Sequence, residues 1–374
     1  MLAPPTAEVR VTPGLGWPRD VEVDPRIGWP NVPRETLDWP QRETDRSSPT
    51  ASVTTTSPPP AIETPPTPVI EPPPGPRRAR FDEDEFGPPV VEEDSPATST
   101  AERVGTATLP APPLPRVFVV ANQKGGVGKT TTCVNLAAAL ALGGLTVLVV
   151  DLDPQGNATT ALGVDHPPGT PGTYEVLMAG AAFSDHVVDS PEASGLKVLP
   201  ATIDLAGAEI ELVSIVAREN RLKRSLLAYL QDHHADYVFL DCPPSLGLLT
   251  LNALVAANEI LVPIQCEYYA LEGVTQLLRT IDLVKGELNS ELRLSTVLLT
   301  MFDARTKLAA QVAAEVRQHF PVETLPTVIP RSVRISEAPS YGQTVLTYQP
   351  SSAGAISYLE AAQEIARRGV EERA

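Results

Sequence analysis

The fold of this chain is decided by "KGGVGKTT", Lys124 to Thr131, together with the residues on either side of it. Before it stands "RVFVVANQ", a short apolar run rich in β-formers. After it comes "TCVNLAAALAL", which has helical spacing and ends at Gly143 and Gly144. The order of strand, glycine-rich loop and helix predicts a phosphate-binding loop, because backbone N–H groups and the positive end of the helix then point at one anion.

The loop carries a lysine at each end, and the two lysines need separate explanations. Its glycines allow the backbone to wrap closely around phosphate oxygens. In a loop of this kind, Lys129 reaches the β- and γ-phosphates of a nucleotide, and the Thr130 hydroxyl holds Mg²⁺. The other lysine, Lys124, opens the loop and modifies the usual pattern.

Two further apolar runs end in carboxylates. "LTVLVVDLDPQGN" contains Asp151 and Asp153 after a β-branched run, and "DYVFLDCPPS" contains Asp241. Because strand ends in a parallel sheet converge where ligands bind, all three acids are expected to point toward the phosphates. Asp241 matches a Walker B carboxylate, which orients hydrated Mg²⁺. For Asp151 and Asp153 the alternative is that they cap the following helix.

Taken together, the loop, "DLDPQGN" and "DCPPSLGLLTLNAL" resemble the deviant Walker A ATPases and, within that group, the ParA/Soj partitioning proteins. The resemblance implies that Lys129 serves the subunit's own ATP while Lys124 crosses a dimer interface to the partner's nucleotide. An ordinary solvated lysine is the alternative for Lys124. The implied nucleotide-binding residues are Lys124, Gly125, Gly126, Val127, Gly128, Lys129, Thr130 and Thr131.

The same resemblance implies a reaction, hydrolysis of ATP with Mg²⁺ as cofactor. Asp153 is expected to position the attacking water, with Lys124 and Lys129 as the other catalytic residues. Asp151 is expected near Mg²⁺ through a water shell, beside Thr130 and Asp241. No catalytic arginine is evident near these motifs, so turnover is expected to be slow unless a ParB-like centromere-binding protein stimulates it.

Net charge bears on whether DNA is a partner. The chain carries −17 overall, but binding depends on the local surface. "TMFDARTK" and "VIPRSVRISEAPSYG" resemble the ParA/Soj elements that form a basic surface on the ATP-bound homodimer. Arg305 and Arg334 are the implied phosphate contacts, with Lys307 and Arg331 beside them. Intramolecular salt bridges or a solvated helix face are the alternative explanation.

Residues 1–115 differ in composition from the rest. They hold 26 of the 40 prolines and no lysine, which predicts a disordered acidic extension. All three tryptophans lie there, each followed by proline: Trp17, Trp29 and Trp39. Such repeats are typical either of a biased linker or of an array that binds a partner, for instance a polar scaffold protein.

Several other protein classes are disfavoured. The chain shows no signal peptide and no apolar run of membrane-spanning length, so a cytoplasmic protein without a membrane partner is expected. The resemblance further implies association with the nucleoid. The three cysteines lie in apolar contexts and are predicted to be reduced core residues rather than cluster ligands. A MinD-like membrane switch and a P-loop biosynthetic enzyme that activates a small molecule remain as alternatives.

The predicted architecture follows from these elements. Residues 116–374 are expected to form one α/β domain of the P-loop NTPase type, doubly wound, with a mainly parallel sheet and helices on both faces. The Pro-rich extension of residues 1–115 precedes it. Sequence leaves open a chromosomal or plasmid role, the hydrolysis rate, and the partner of the extension.

Overall fold

The computed structural model describes residues 108–268 and 270–371. Of the predicted N-terminal extension it therefore describes only the last eight residues, and the three Trp-Pro elements lie outside the described part. Within that short stretch, the backbone N–H of Leu109 donates to the carbonyl of Gly143 at 2.9 Å. The Leu109 side chain packs on the core.

An eight-stranded sheet forms the centre of the described part, in the order β3-β4-β2-β5-β1-β6-β7-β8. All neighbouring strands run parallel except the pair β3 and β4, which is antiparallel. The predicted mainly parallel sheet is thus confirmed. The strands are β1 (Arg116–Val120), β2 (Val147–Asp151), β3 (Val188–Asp189), β4 (Leu196–Leu199), β5 (Tyr237–Asp241), β6 (Glu259–Gln265), β7 (Arg293–Phe302) and β8 (Thr324–Pro330).

Helices connect the strands and complete the layers. The crossovers between parallel strands need such connections, because a tight turn cannot reverse the chain and return it in the same direction. In the described residues the α-helices are α1 (Lys129–Leu142), α2 (Asn157–Ala161), α3 (Thr173–Met178), α4 (Leu205–Glu211), α5 (Arg221–Asp232), α6 (Leu248–Ala256), α7 (Ala270–Glu287), α8 (Lys307–His319), α9 (Val333–Glu337), α10 (Val345–Tyr348) and α11 (Ala353–Glu371).

Burial on both faces of the central strands explains their continuous apolar composition. Phe118 and Phe239 stack at 5.5 Å in a core shared with α1 and α11. The alternate residues Val119 and Leu240 are equally buried, on the face where α6 packs against β1 and α5 packs against α6. Helices therefore cover the sheet in two layers, as predicted.

The cysteines and the helices bear on the predictions of reduced core thiols and of a chain without a membrane-spanning segment. Cys133, Cys242 and Cys266 are all free and buried, which confirms them as reduced core residues. Among the helices of residues 108–268 and 270–371, none combines the length and hydropathy needed to cross a bilayer.

Sheet order brings the predicted functional residues to one edge. β5 lies between β1 and β2, with Val120 and Asp151 each paired with Asp241. The chain builds one half of the sheet after β1 and adds β6 to β8 on the other side. The carboxyl ends around β1 are therefore a topological switch point, where open α/β sheets bind ligands.

Candidate active site

The glycine-rich loop joins the carboxyl end of β1 to α1. Gly126 and Gly128 have φ angles of 74° and 89°, a region that suits glycine. A Cβ added at Gly125 or Gly126 would meet no atom of the described chain within 4 Å, so this side of the loop faces open space. The first turn of α1 has no acidic residue. The loop and the positive end of α1 thus form a surface on which an anion can lie.

Neighbouring strands hold the loop in place. The Asn122 side chain donates to the carbonyl of Pro263 in β6 at 2.8 Å and accepts from the Lys124 backbone N–H at 3.0 Å. On the other side, the Thr300 hydroxyl of β7 donates to the Val127 carbonyl at 2.8 Å. These bonds fix the loop before any ligand arrives, which lowers the entropy cost of binding.

Lys129 opens α1 and is nearly buried, with 8% of its surface exposed. Its ammonium donates to the Lys124 carbonyl at a long 3.4 Å. Burial lowers the pKa of Lys129, while the nearby Asp241 carboxylate opposes that shift. A cation in this position gains much from an arriving anion because the site is largely shielded from water.

Asp241 ends β5 and is completely buried. Within the described residues, neither of its carboxylate oxygens has a hydrogen-bond partner. Burial, reinforced by the charge of Asp151, raises its pKa well above the ordinary value. The Thr130 hydroxyl lies close enough to Asp241 to oppose that shift in pKa, but it makes no hydrogen bond of normal geometry with the carboxylate. A buried acid without donors is costly unless a ligand completes it.

Asp151 differs from Asp241 because the fold already satisfies it. One oxygen accepts from the Thr159 backbone N–H at 2.9 Å and from the Thr159 hydroxyl at 2.7 Å. The other accepts from the Asp153 backbone N–H at 3.1 Å. Burial raises the pKa of Asp151 to about 6, with the Thr159 bonds opposing the rise. The carboxylate therefore holds the turn between β2 and α2. This agrees with the alternative in which Asp151 accepts hydrogen bonds from the start of the following helix.

Asp153 lies two residues beyond β2 and is half-buried. Its carboxylate accepts from the Gln155 backbone N–H at 3.0 Å. Because β2 and β5 are parallel neighbours, Asp153 lies just beyond the carboxyl end of β2, beside the end of β5 that carries Asp241. The residue is held in a short turn with part of its surface open to solvent.

The donor set fits a hydrated divalent cation that arrives with a nucleotide. In the described part of the chain, no group of three or more His, Cys, Asp or Glu could hold a metal ion by itself. The unpartnered oxygens of Asp241 and the adjacent Thr130 hydroxyl are hard oxygen ligands. Mg²⁺ takes one or two such ligands and completes its shell with water and phosphate oxygens.

The Lys124 ammonium is paired with an acid outside the loop. Its Nζ lies 3.3 Å from Oε2 of Glu267, which follows the end of β6. The Glu267 side chain also accepts from Gln265 Nε2 at 2.6 Å. The structure therefore shows Lys124 in an ion pair of its own subunit rather than as a freely solvated side chain.

The predicted basic residues are exposed, and two of them already have acidic partners. Arg305, 88% exposed, makes bonds of 2.9 and 2.8 Å to both oxygens of Asp303. Those side-chain bonds and, to a smaller extent, a bond from the Arg305 backbone N–H lower the pKa of Asp303 to about 2. Arg331 lies near enough to add to this effect, and Lys307 begins α8 close by. The ends of β7 and β8 thus bring three of the predicted cations together.

Arg334 lies on α9, separate from the other three. Its guanidinium bonds to Glu337 at 2.9 Å, one turn further along the chain. The salt-bridge alternative therefore describes the geometry of Arg305 and Arg334 correctly. Exposed pairs of this kind are weak, so they leave both arginines available to phosphate.

Sequence reasoning missed several residues that complete this site. Asn122, Thr159 and Glu267 carry no motif, and only their positions beside the loop or Asp151 reveal them. Asp303 and Glu337 were detectable, because an acid two or three residues from an exposed arginine is a local signal.

Comparison with known proteins gives the following relatives. Residues 115–294 match a family described as an AAA domain. The chain is 52% identical to the sporulation initiation inhibitor protein Soj of Bacillus subtilis over 254 residues, 68% of this chain and 99% of that protein. It is 50% identical to the chromosome partitioning protein ParA of Caulobacter vibrioides over 253 residues, 68% of this chain and 94% of that protein.

A solved structure shares the fold. It is described as cobyrinic acid a,c-diamide synthase from Mycobacterium smegmatis with bound ATP analog and magnesium. Its sequence is 43% identical, its TM-score is 0.59, and the match covers 68% of this chain and 96% of that one.

Proposed function

The chain belongs to the ParA/Soj family of partitioning ATPases, and on this premise we propose that it is an ATP-hydrolysing switch that segregates chromosomal or plasmid DNA. One observation carries the proposal. The buried Asp241 carboxylate, which has no hydrogen-bond partner in the described residues, lies near the buried Lys129 ammonium, and Lys129 follows a glycine loop that faces open space. A nucleotide with its cation completes both groups at once.

ATP binding would use the backbone of the loop and the Lys129 ammonium. The N–H groups and the helix end attract phosphate, and Lys129 gives the β- and γ-phosphates a charged donor. The related synthase structure contains an ATP analog and magnesium, which supports this ligand for the shared fold. The residues proposed to contact nucleotide are Lys124, Gly125, Gly126, Val127, Gly128, Lys129, Thr130 and Thr131.

Asp241, Thr130 and, through water, Asp151 would hold Mg²⁺. When bound, the ion neutralises charge on the β- and γ-phosphate oxygens. In the described part of the chain the oxygens of Asp241 have no hydrogen-bond partner, whereas those of Asp151 are engaged by Thr159 and Asp153. Asp151 would then act chiefly by fixing the turn that carries Asp153.

Hydrolysis would proceed by attack of water on the γ-phosphorus. Asp153 orients the water, the bond from the γ-phosphorus to the bridging oxygen breaks, and ADP and inorganic phosphate leave. Lys129 neutralises the charge that develops on the phosphate oxygens. Turnover would be slow, because no arginine is assigned to this task.

Dimerisation would add the second lysine. Lys124 of each subunit reaches the γ-phosphate region of the other, so two ATP-bound copies pair face to face and separate after hydrolysis. Binding of ATP and pairing are then one coupled equilibrium.

DNA binding would follow from pairing. Each subunit brings exposed cations, so the dimer doubles the contact surface for phosphates without reading sequence. A ParB-like centromere-binding protein would stimulate hydrolysis and release the dimer. The protein would then act in the cytoplasm on the nucleoid, without a membrane partner. The residues proposed to contact DNA are Arg305, Lys307, Arg331 and Arg334.

The N-terminal extension, residues 1–115, is proposed to be a separate segment from the ATPase domain. Its Trp-Pro repeats would bind a partner such as a polar scaffold protein, because tryptophan on a stiffened backbone offers a large contact area at low ordering cost. Repetition would add avidity.

A biosynthetic role is the second candidate, favoured by the structural relative that is a synthase. Such an enzyme would use the same loop to activate a small molecule. The relatives that are 52% and 50% identical are named for Soj and chromosome partitioning, so DNA segregation stands first. They equally favour it over a MinD-like membrane role.

The deciding experiment measures the ATPase rate of the full chain with duplex DNA and a centromere-binding protein, each alone and together. A partitioning switch responds to the two together. Activation by cobyrinic acid with an amide donor, and not by DNA, would support the synthase instead. Equal rates under all conditions would refute the switch.

A further inference from the structure

The contact that the site does not yet explain is the one between Lys124 and Glu267. Their charged atoms are 3.3 Å apart, with side chains 33% and 46% exposed. Gln265 Nε2 holds the second Glu267 oxygen at 2.6 Å. The carboxylate is therefore oriented toward Lys124 by its own strand and does not meet it by chance.

Lys124 is fixed at one end only. Its backbone N–H is held by Asn122, and its carbonyl lies 3.4 Å from the Lys129 ammonium. The side chain, in contrast, reaches Glu267, the second residue after β6, which is its one hydrogen-bond partner among the described residues. The backbone can stay in the loop while the ammonium changes partner.

We propose that Glu267 is a positioning residue that retains the Lys124 ammonium on its own subunit and so sets the affinity of ATP-driven pairing. The inference rests on the proposed function, in which Lys124 reaches the partner's nucleotide. To do so it must leave Glu267. The triphosphate competes successfully because it concentrates more negative charge than one carboxylate.

The expected size of the effect follows from the exposure of the pair. Partly exposed ion pairs contribute little, and a symmetric dimer breaks two of them. Removing Glu267 should therefore tighten the dimer about fivefold, which corresponds to about 1 kcal/mol. Salt screens such pairs, so the gain should shrink as ionic strength rises.

The test compares Glu267→Gln with the full natural chain by sedimentation, with saturating AMPPNP and magnesium. Glutamine keeps the shape and can still accept from Gln265. Glu291→Gln, at an exposed acid elsewhere, changes net charge equally and should have no effect. We expect Glu267→Gln to form a tighter dimer than the natural chain at low salt. Its ATPase activity should reach half of its maximum at a lower protein concentration, while the maximum itself stays the same. A merely structural residue would instead weaken pairing when replaced.

The outcomes separate this inference from the proposed function. If Glu267→Gln pairs as the natural chain does, or more weakly with the same melting temperature, the inference is refuted while the switch stands. If the natural chain does not pair with AMPPNP, or Lys124→Ala pairs equally well, the proposed dimer itself fails.

Discussion

Replacing Asp241 by asparagine should stabilise the nucleotide-free protein while abolishing its activity. The natural carboxylate is fully buried and has no hydrogen-bond partner in the described residues. An unpartnered buried group costs about 1–3 kcal/mol, and a charge costs more. Asparagine keeps the shape and removes the charge, so the free energy of unfolding should rise by about 2 kcal/mol. For a domain of this size that corresponds to about 4–8 °C in Tm.

The pH dependence of stability gives the sign of the Asp241→Asn effect independently. Asp241 is an acid whose folded pKa is raised above its ordinary value of 3.8. The stability it contributes is complete below that ordinary value and is lost as pH rises through the folded pKa. The natural chain should therefore lose stability relative to Asp241→Asn as pH rises from acidic to neutral.

Thermal unfolding with and without nucleotide checks both statements. Magnesium and ATP should raise the Tm of the natural chain, since a ligand at 100 times its Kd adds about 2.7 kcal/mol, whereas Asp241→Asn should lose most of that increment. Asp153→Asn is the matched control, because Asp153 is half-buried and hydrogen-bonded to Gln155, so its nucleotide-free Tm should hardly change. A nucleotide-free Tm of Asp241→Asn at or below the natural value, or a gap that does not grow with pH, would refute the reasoning.

Three further changes test neighbouring parts of the site. Asp153→Ala should stop hydrolysis yet permit ATP-dependent pairing, because it removes only the group proposed to orient water. Phosphate release measures hydrolysis, and sedimentation measures pairing. Arg334→Glu should abolish DNA retention at low salt and leave pairing intact, and an unchanged mobility shift would contradict the assignment. Thr159→Val removes the 2.7 Å bond to Asp151 and should cost about 1–3 kcal/mol of stability, measured by urea unfolding.

The parts of this site that follow from sequence are those whose signal is local. The apolar run ending at Asp241, and the glycines between a strand and a helix, each lie within ten residues of the chemistry they predict. Burial on both faces of β1 and β5 turns such runs into central strands, and parallel pairing aligns their ends. Arg305 and Asp303, two residues apart, were equally open to sequence reasoning.

Of the two contacts that sequence did not yield, one depends on strand order and the other on the path of a turn. Lys124 and Glu267 are 143 positions apart, and they meet only because β6 lies beside β1. The Thr159 hydroxyl reaches Asp151 because α2 turns back over the end of β2. The pairing of Lys124 with Glu267 follows from how crossovers stack the strands, whereas that of Thr159 with Asp151 depends on the turn between β2 and α2, which no periodicity encodes.

The different states of Asp241 and Lys124 imply that nucleotide binding precedes pairing. Within the described residues Asp241 has no hydrogen-bond partner, so it gains from the first ligand that arrives, whereas under the proposed pairing Lys124 must leave Glu267. Binding of one nucleotide therefore has no internal competitor at Asp241, while pairing has one at Glu267. If ATP drives pairing through Lys124, as proposed, the chain should bind ATP as a monomer over a range of concentrations before it dimerises. The separation between the ATP concentration for binding and that for pairing should narrow in Glu267→Gln.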